Sequence, residues 1–434
     1  FRSLAPAGAG VVFSQMPACA RLLLYPGNLK LIGYSTAMSR YLWPRSPRAW
    51  VVIAAIIFLL IGTLAPTLYN NRTRPLGLDK DFSTSSGPTD AVWMDVRALM
   101  AGEAPSDTAS SDDPRCAEKS APVWCYQHHE PLTLERTIAT GEVDDDDTIA
   151  TTDSVTSLLA GKAGDSQEEI ATIDQDSVLN RESTFPVADP VNKWALALPQ
   201  FNADLTRADF ERDGLTYFFP SGTEQRSYAF FDFLAQESTP IDFTGDSKMD
   251  GIPIYSYHQD VQPLPLKNIF SNISAGLDST TKTDELKSGD FQLKGPASRF
   301  YDRHSRELLD LDADATVIVE PFYTVGRDIS VEPTTGTIID VRENVKVFFA
   351  TDIQQAGTLI AEDDTEDRSV LAADFRWSED TRADRLAEVR PVIYAMRGLM
   401  AVGWLGKAIG VSLLIFAAYQ YMRRHRDAHD AAHS

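Results

Sequence analysis

Apolar and polar residues are spread unevenly along the chain. Ala49 to Leu64 reads AWVVIAAIIFLLIGTL without a charge. The APTLY that follows extends the run to about 20 residues, the length a ~30 Å hydrocarbon slab requires. A second run, Leu399–Met422, is broken only by Lys407 and stops at Arg423, Arg424 and Arg426. Lys407 is close enough to the outer interface to snorkel, and Trp404, Tyr419 and Tyr421 stand where an aromatic belt would lie. Between these runs the pattern changes period. Residues 79–185 are polar with short apolar islands, one of which, Asp90–Met100, fits either a helix or a strand. From Thr184 onward strands dominate. Leu215–Pro220 and Arg226–Leu234 read as a hairpin, and Gly251–Gln259 alternates as a half-buried strand does. Ala315–Tyr323 and Asp328–Pro333 follow, then a turn at Thr334–Gly336, then TIIDV and ENVKVFFAT. Helical patterns are confined to Thr280–Lys287 and Asp380–Met396. Antiparallel strands on short turns predict a β-dominated (α+β) domain, in antiparallel sheets or barrel-like, flanked by N- and C-terminal transmembrane helices.

Charge sharpens that picture. The chain of 434 residues carries a formal charge of −22, and a pI near 4.7 excludes nucleic acid as a partner, because phosphate contacts need a basic surface. Residues 1–71 hold six cations and no acid, whereas residues 72–394 hold 29 basic and 60 acidic residues. Arg40, Arg45 and Arg48 precede the first apolar run, and the Arg cluster follows the second. The positive-inside rule then puts both ends in the cytoplasm. The expected domains are a cytoplasmic segment 1–48, a membrane helix 49–69, an extracytoplasmic β-rich domain 70–394, a membrane helix 399–422 and a basic cytoplasmic tail 423–434. Residues 1–37, ahead of Met38 and the basic lead SRYLWPRSPR, are set aside as an extension. A cleaved secretory signal ending near Thr63–Ala65 fits less well, since the apolar run exceeds a ~7–15-residue signal core.

Candidate chemistry is sparse. Cys116 and Cys125, both in the outer domain, are expected to form a disulfide closing a small loop. A zinc site recruiting His128 and His129 would need tighter Cys spacing. The four-Asp run Asp144–Asp147 lacks the spaced ligands and Gly turn of a calcium loop, and reads as a solvated turn. VEPTTG, Val331–Gly336, reads as a turn in which Pro333 fixes φ and Gly336 supplies a positive φ. No G-x-S-x-G elbow, Walker loop or G-x-G-x-x-G is present. His258 and His304 are the available acid–base groups and are expected on the surface of the domain. His425, His429 and His433 share one helical face in the tail. The expectation is a non-enzyme without catalytic, cofactor-binding or metal-binding residues.

Several stretches carry a family likeness. They are the basic lead and helix at Trp43–Tyr69, VLNRESTFPV at Val178–Val187, the long run Asp213–Gln259, and VEPTTGTIIDVRE at Val331–Glu343. In that order, between two terminal helices, the chain resembles the actinobacterial porin PorA family over about three quarters of its length. The acidic region of about 100–180 matches poorly and is expected to be an insertion. The resemblance implies a cell-envelope membrane protein, with some members linked to assembly of lipomannan and lipoarabinomannan. The expected function is binding or transfer of lipid or lipoglycan by the outer β domain, in the layout of CD36-type receptors. The alternative is a scaffold for an envelope-biosynthesis enzyme or transporter. A porin or an envelope hydrolase ranks last, because an outer-membrane barrel needs many amphipathic strands and no long apolar helix.

Overall fold

The computed structural model describes residues 47–73, 75–106, 113–118, 120–143, 146–162, 167–199, 203–268 and 292–433. The expected helix at Thr280–Lys287 lies outside them. Fourteen strands form one antiparallel sheet. Its first half comprises β1 (Asp81–Ser85), β2 (Thr89–Met94), β3 (Gln127–Glu142), β4 (Ile149–Ala160), β5 (Glu168–Asn180), β6 (Asn192–Leu198) and β7 (Ala203–Phe210). Its second half comprises β8 (Tyr228–Asp232), β9 (Glu237–Met249), β10 (Ile252–Pro265), β11 (Leu293–Pro296), β12 (Thr316–Glu332), β13 (Thr337–Ala350) and β14 (Ser369–Arg376). The hydrogen-bonded path runs β7-β6-β5-β4-β3-β2-β14-β13-β12-β10-β9-β8, with β1 added on β3 and β11 on β12. Two meanders are thus joined where β2 pairs with β14, Leu371 opposite Trp93.

The outer edges of the two meanders meet through side chains. Trp194, Leu196, Leu205 and Phe210 of β6 and β7 share one core with Phe231, Ala235, Val261, Tyr323 and Val347. That contact requires the sheet to curl until its ends face each other. Among the described residues no ladder joins β7 to β8, so the curled sheet is open along one seam.

The acidic region of about 100–180 supplies β3, β4 and β5 of the sheet. Three sequence expectations change here. Asp90–Met100 is both strand and helix: β2 ends at Met94, and the Asp95 side chain accepts the Ala98 N–H at 2.9 Å to cap the helix Val96–Ala101. The hairpin is shifted. Its arms are β8 and β9, while Leu215–Pro220 forms no strand beyond a single bridge from Leu215 to Phe230. That segment instead docks on the β12–β13 turn, where the Phe219 N–H donates to the Gly336 carbonyl at 3.0 Å and the Thr223 N–H to the Pro333 carbonyl at 2.8 Å. Gly336 has φ +74°, and a Cβ there would lie 2.0 Å from the Phe219 carbonyl oxygen. Only glycine fits. The two strand readings on either side of Gly326 merge into the single β12.

Two long helices accompany the sheet: α1 (Pro47–Thr73) and α2 (Glu379–His433). Both are long and apolar enough to cross a membrane. Contact density divides the chain into a unit of residues 57–411, which contains the whole sheet, and a unit of residues 1–56 with 412–434. Within the larger unit α2 starts on the sheet: Ser378 Oγ accepts the Thr381 N–H at 3.2 Å, and Leu386, Val389 and Ile393 pack on Ile252, Ile254 and Ile339. Ion pairs Lys80–Glu388 and Arg390–Asp250 flank that contact.

Candidate functional site

The concave face of the sheet holds an apolar chamber of about 270 Å³. Trp93, Leu134, Leu158, Leu196, Phe233 and Val345 are among the side chains lining it. They come from both meanders, so the chamber exists because the sheet curls.

One wall is charged. Arg327 is buried, and its guanidinium meets Asp232 at 2.6 Å and Glu343 at 2.7 Å. It also donates to Gln259 Oε1 at 2.9 Å, while the Tyr323 hydroxyl donates to Asp232 at 2.9 Å. Arg136 stands 3.9 Å from Glu343, donates to Thr156 at 2.9 Å, and covers the rings of Tyr217 and Phe233. Two cations thus face two carboxylates, and the cluster is neutral as a set. Burial by itself lowers the pKa of Arg327, but Asp232 and Glu343 reverse that and hold it well above its ordinary value. Burial likewise raises the Glu343 carboxyl, and the two arginines more than offset it, leaving its pKa lowered. Burial drives the Tyr323 hydroxyl well up, with Asp232 adding to the effect, so it remains a donor. Nearby, Arg212 is buried over the Phe231 ring at 5.0 Å, and desolvation lowers its pKa to about 10.

Beside this cluster the inward face of β4 and β5 is polar. Thr152, Ser154, Thr156, Gln175 and Ser177 are buried, and the Tyr217 hydroxyl bonds to both Ser154 and Gln175. His258 on β10 bridges Asp328 at 2.7 Å and Asp260 at 3.2 Å, which raises its pKa, the Asp328 hydrogen bond contributing most. It is half-buried, whereas His304 on the short helix Arg303–Leu308 is exposed. The sulfurs of Cys116 and Cys125 lie 2.05 Å apart in a disulfide. Asp146 accepts the N–H and hydroxyl of Thr148 in a turn, while Asp144 and Asp145 lie outside the described residues. His425 packs on Tyr421.

The helices form a second feature. Within residues 57–411, a Cβ on Gly62 would lie 2.7 Å from the Gly403 carbonyl oxygen, one on Gly403 3.2 Å from Pro66, and one on Gly406 3.0 Å from the Phe58 carbonyl. Positions rise on α1 as they fall on α2, so the helices cross antiparallel with backbones in contact, as small residues permit. The Lys407 ammonium lies 5.7 Å from the centre of the Trp404 ring, turned back toward the end of α2 that joins the sheet.

A β-rich body with two helices fit to span a bilayer has the build of a helix-bearing membrane protein. The chain belongs to the Porin PorA family, whose model matches residues 49–419. It is 26% identical over 359 residues to a Porin PorA of Corynebacterium amycolatum, covering 79% of this chain and 90% of that protein. It is 24% identical over 400 residues to a Porin PorA of Corynebacterium resistens, covering 87% and 96%. The matched range takes in β3 to β5 and the apolar stretches of both long helices. These findings overturn the expected function. Lipid or lipoglycan binding and transfer in envelope biosynthesis, and the scaffold alternative, give way to the channel-forming class in whose name the family and relatives agree. The expectation failed because it equated a porin with a strand-built, lipid-facing barrel, and so ranked last the reading that the family carries.

Proposed function

We propose that the chain is a channel-forming subunit of the cell envelope whose membrane path is built from α1 and α2 and not from its strands. One observation carries this reading beyond the family name. Of the exposed large apolar side chains among the described residues, eight are on α1, thirteen on α2 and five elsewhere. A lipid-facing barrel needs a continuous apolar band on its outer wall, and this sheet has isolated outward apolar residues such as Val155 and Ile318. The sheet therefore sits in water and the helices meet lipid. Two helices in direct backbone contact leave no bore between them, so the conducting unit is an assembly of several chains.

The antiparallel crossing also favours a two-pass arrangement, with the sheet outside the cytoplasm and the basic termini inside it, as the flanking arginines require. The protein acts as a conduit and catalyses no reaction.

The test is reconstitution of the full chain in planar bilayers. Stepwise conductance that rises more steeply than linearly with protein concentration is expected. Gly62→Val, which drives a side chain into the Gly403 carbonyl, is expected to abolish it while the β-sheet circular dichroism persists. A silent wild type defeats the channel reading. Conductance indifferent to Gly62→Val defeats the helical path.

A further inference from the structure

We infer that the chamber inside the curled sheet is a binding site for a compact, neutral, apolar molecule of about two fused rings. This goes beyond the channel reading and does not depend on it.

Size sets the first limit. A cavity of ~150 Å³ lined by aliphatic and aromatic side chains stays dry and takes up benzene. At about 270 Å³ this chamber is larger by less than a factor of two and falls just under the ~300–1,000 Å³ of drug-sized pockets. A bicyclic hydrocarbon skeleton fits that interval, whereas an extended or two-chain amphiphile overfills it.

Chemistry sets the second limit. The walls are almost wholly hydrocarbon: Leu134, Leu158, Leu196 and Val345 with the rings of Trp93 and Phe233. Water in such a space finds few partners, so an apolar guest displaces it readily. The charged wall does not alter this. Arg327 is matched by Asp232 and Glu343, and Arg136 by Glu343 and Thr156. An anionic guest meets no unpaired cation, and a cationic guest no unpaired carboxylate. Neutrality follows from that internal balance. The Trp93 indole N–H is likewise engaged by Glu130 at 2.7 Å, so the ring offers the chamber only its apolar surface.

Construction supports the reading against a packing defect. The lining is drawn from both halves of the hydrogen-bonded path, β4 to β6 on one side and β12 and β13 on the other. A void between two meanders that already touch at Trp194, Phe231 and Tyr323 would close by a small further curl, unless something fills it.

The experiment uses the full chain in lipid nanodiscs, with naphthalene as the probe and empty nanodiscs as the blank. Saturable binding of one naphthalene per chain is expected, read by calorimetry and by quenching between Trp93 and the probe. Ala171→Phe, which fills the chamber from β5, should weaken binding at least tenfold. Leu196→Ala, which enlarges it, should raise affinity for anthracene relative to naphthalene by about tenfold, so the inference stays testable if the filled variant fails to fold. Uptake that never saturates above the blank overturns the inference, as does binding that neither substitution changes. Displacement of naphthalene by palmitate overturns the compact, neutral class of guest. Failure of palmitate to compete, with both variants behaving as stated, supports it.

Discussion

Replacing Arg327 by Met tests the charged wall most directly. Met preserves much of the side-chain volume and removes the cation, so the loss is electrostatic. Asp232 and Glu343 would then be buried acids, with Arg136 at 3.9 Å from Glu343 as the remaining cation. Breaking a buried ion pair by deleting one partner costs ~3–5 kcal/mol. Two carboxylates are stranded here, which favours the upper end, about 5 kcal/mol. At ~2.1 cal/mol/K per residue, a body of roughly 300 residues loses about 0.6 kcal/mol/K on unfolding, so the midpoint should fall by about 8 °C. The assay is thermal unfolding followed by β-sheet circular dichroism at pH 7.5 and again at pH 5. The sign of the pH effect is decisive. In the wild type Glu343 has a lowered pKa, so its contribution is present above the unfolded carboxylate value and is lost as pH falls through the folded one. In Arg327→Met the same carboxyl is desolvated without its main partner, its pKa rises, and acidification relieves the variant. The gap between the two proteins should therefore shrink at pH 5. Adding Asp232→Asn and Glu343→Gln to the variant should restore much of the loss. A midpoint shift under about 2 °C at pH 7.5, or a gap that widens on acidification, would refute the account.

Three further outcomes follow from the geometry. Gly336→Ala forces a non-glycine residue into positive φ and a Cβ into the Phe219 carbonyl, and should destabilise the body by at least about 2 kcal/mol, seen as a lower unfolding midpoint with Phe219 fluorescence-neutral but proteolysis at Leu215–Thr223 accelerated. Reducing Cys116–Cys125 opens a loop of separation 9 and should lower stability by about 2–3 kcal/mol, measured by unfolding with and without dithiothreitol. His258 should titrate above an ordinary histidine and return toward the normal value in Asp328→Asn, read by proton NMR. Since its folded pKa is raised, its stabilisation is present below the unfolded value and fades as pH climbs through the folded one. At this half-buried, solvent-screened site it amounts to about 0.5 kcal/mol.

The second half of the sheet was legible because its strands obey the binary pattern. On β12, Val325, Ile329 and Val331 point inward with polar neighbours between them, and on β10 Ile252 and Ile254 are buried under α2. The first half broke that pattern for a physical reason. On β4 the inward residues are Thr152, Ser154 and Thr156, while Val155 faces out, so the hydropathy of a half-buried strand is inverted. The hydroxyls of Ser154 and Thr156 are satisfied by Tyr217 and Arg136, partners more than fifty residues away or on a neighbouring strand, which local reading does not register. The hairpin shift has a similar origin. LTYFFP is aromatic enough for a strand, yet its rings are consumed by docking: Phe219 against Tyr257 at 4.9 Å and Tyr217 against Phe233 at 5.4 Å. The charged wall was invisible because Asp232, Arg327 and Glu343 are ordinary surface residues until topology brings β8, β12 and β13 together.

The edge where β7 faces β8 has a mechanical meaning. Elsewhere, parting two strands breaks a row of backbone hydrogen bonds. Here it separates packed side chains such as Trp194, Leu205 and Phe231, together with the bond from Arg207 to Gln236. Prising the body apart along this line exposes greasy surface but unzips no ladder, and the interdigitated rings can close again in register. A clasp of that kind lets the interior exchange its contents while every strand keeps its neighbours.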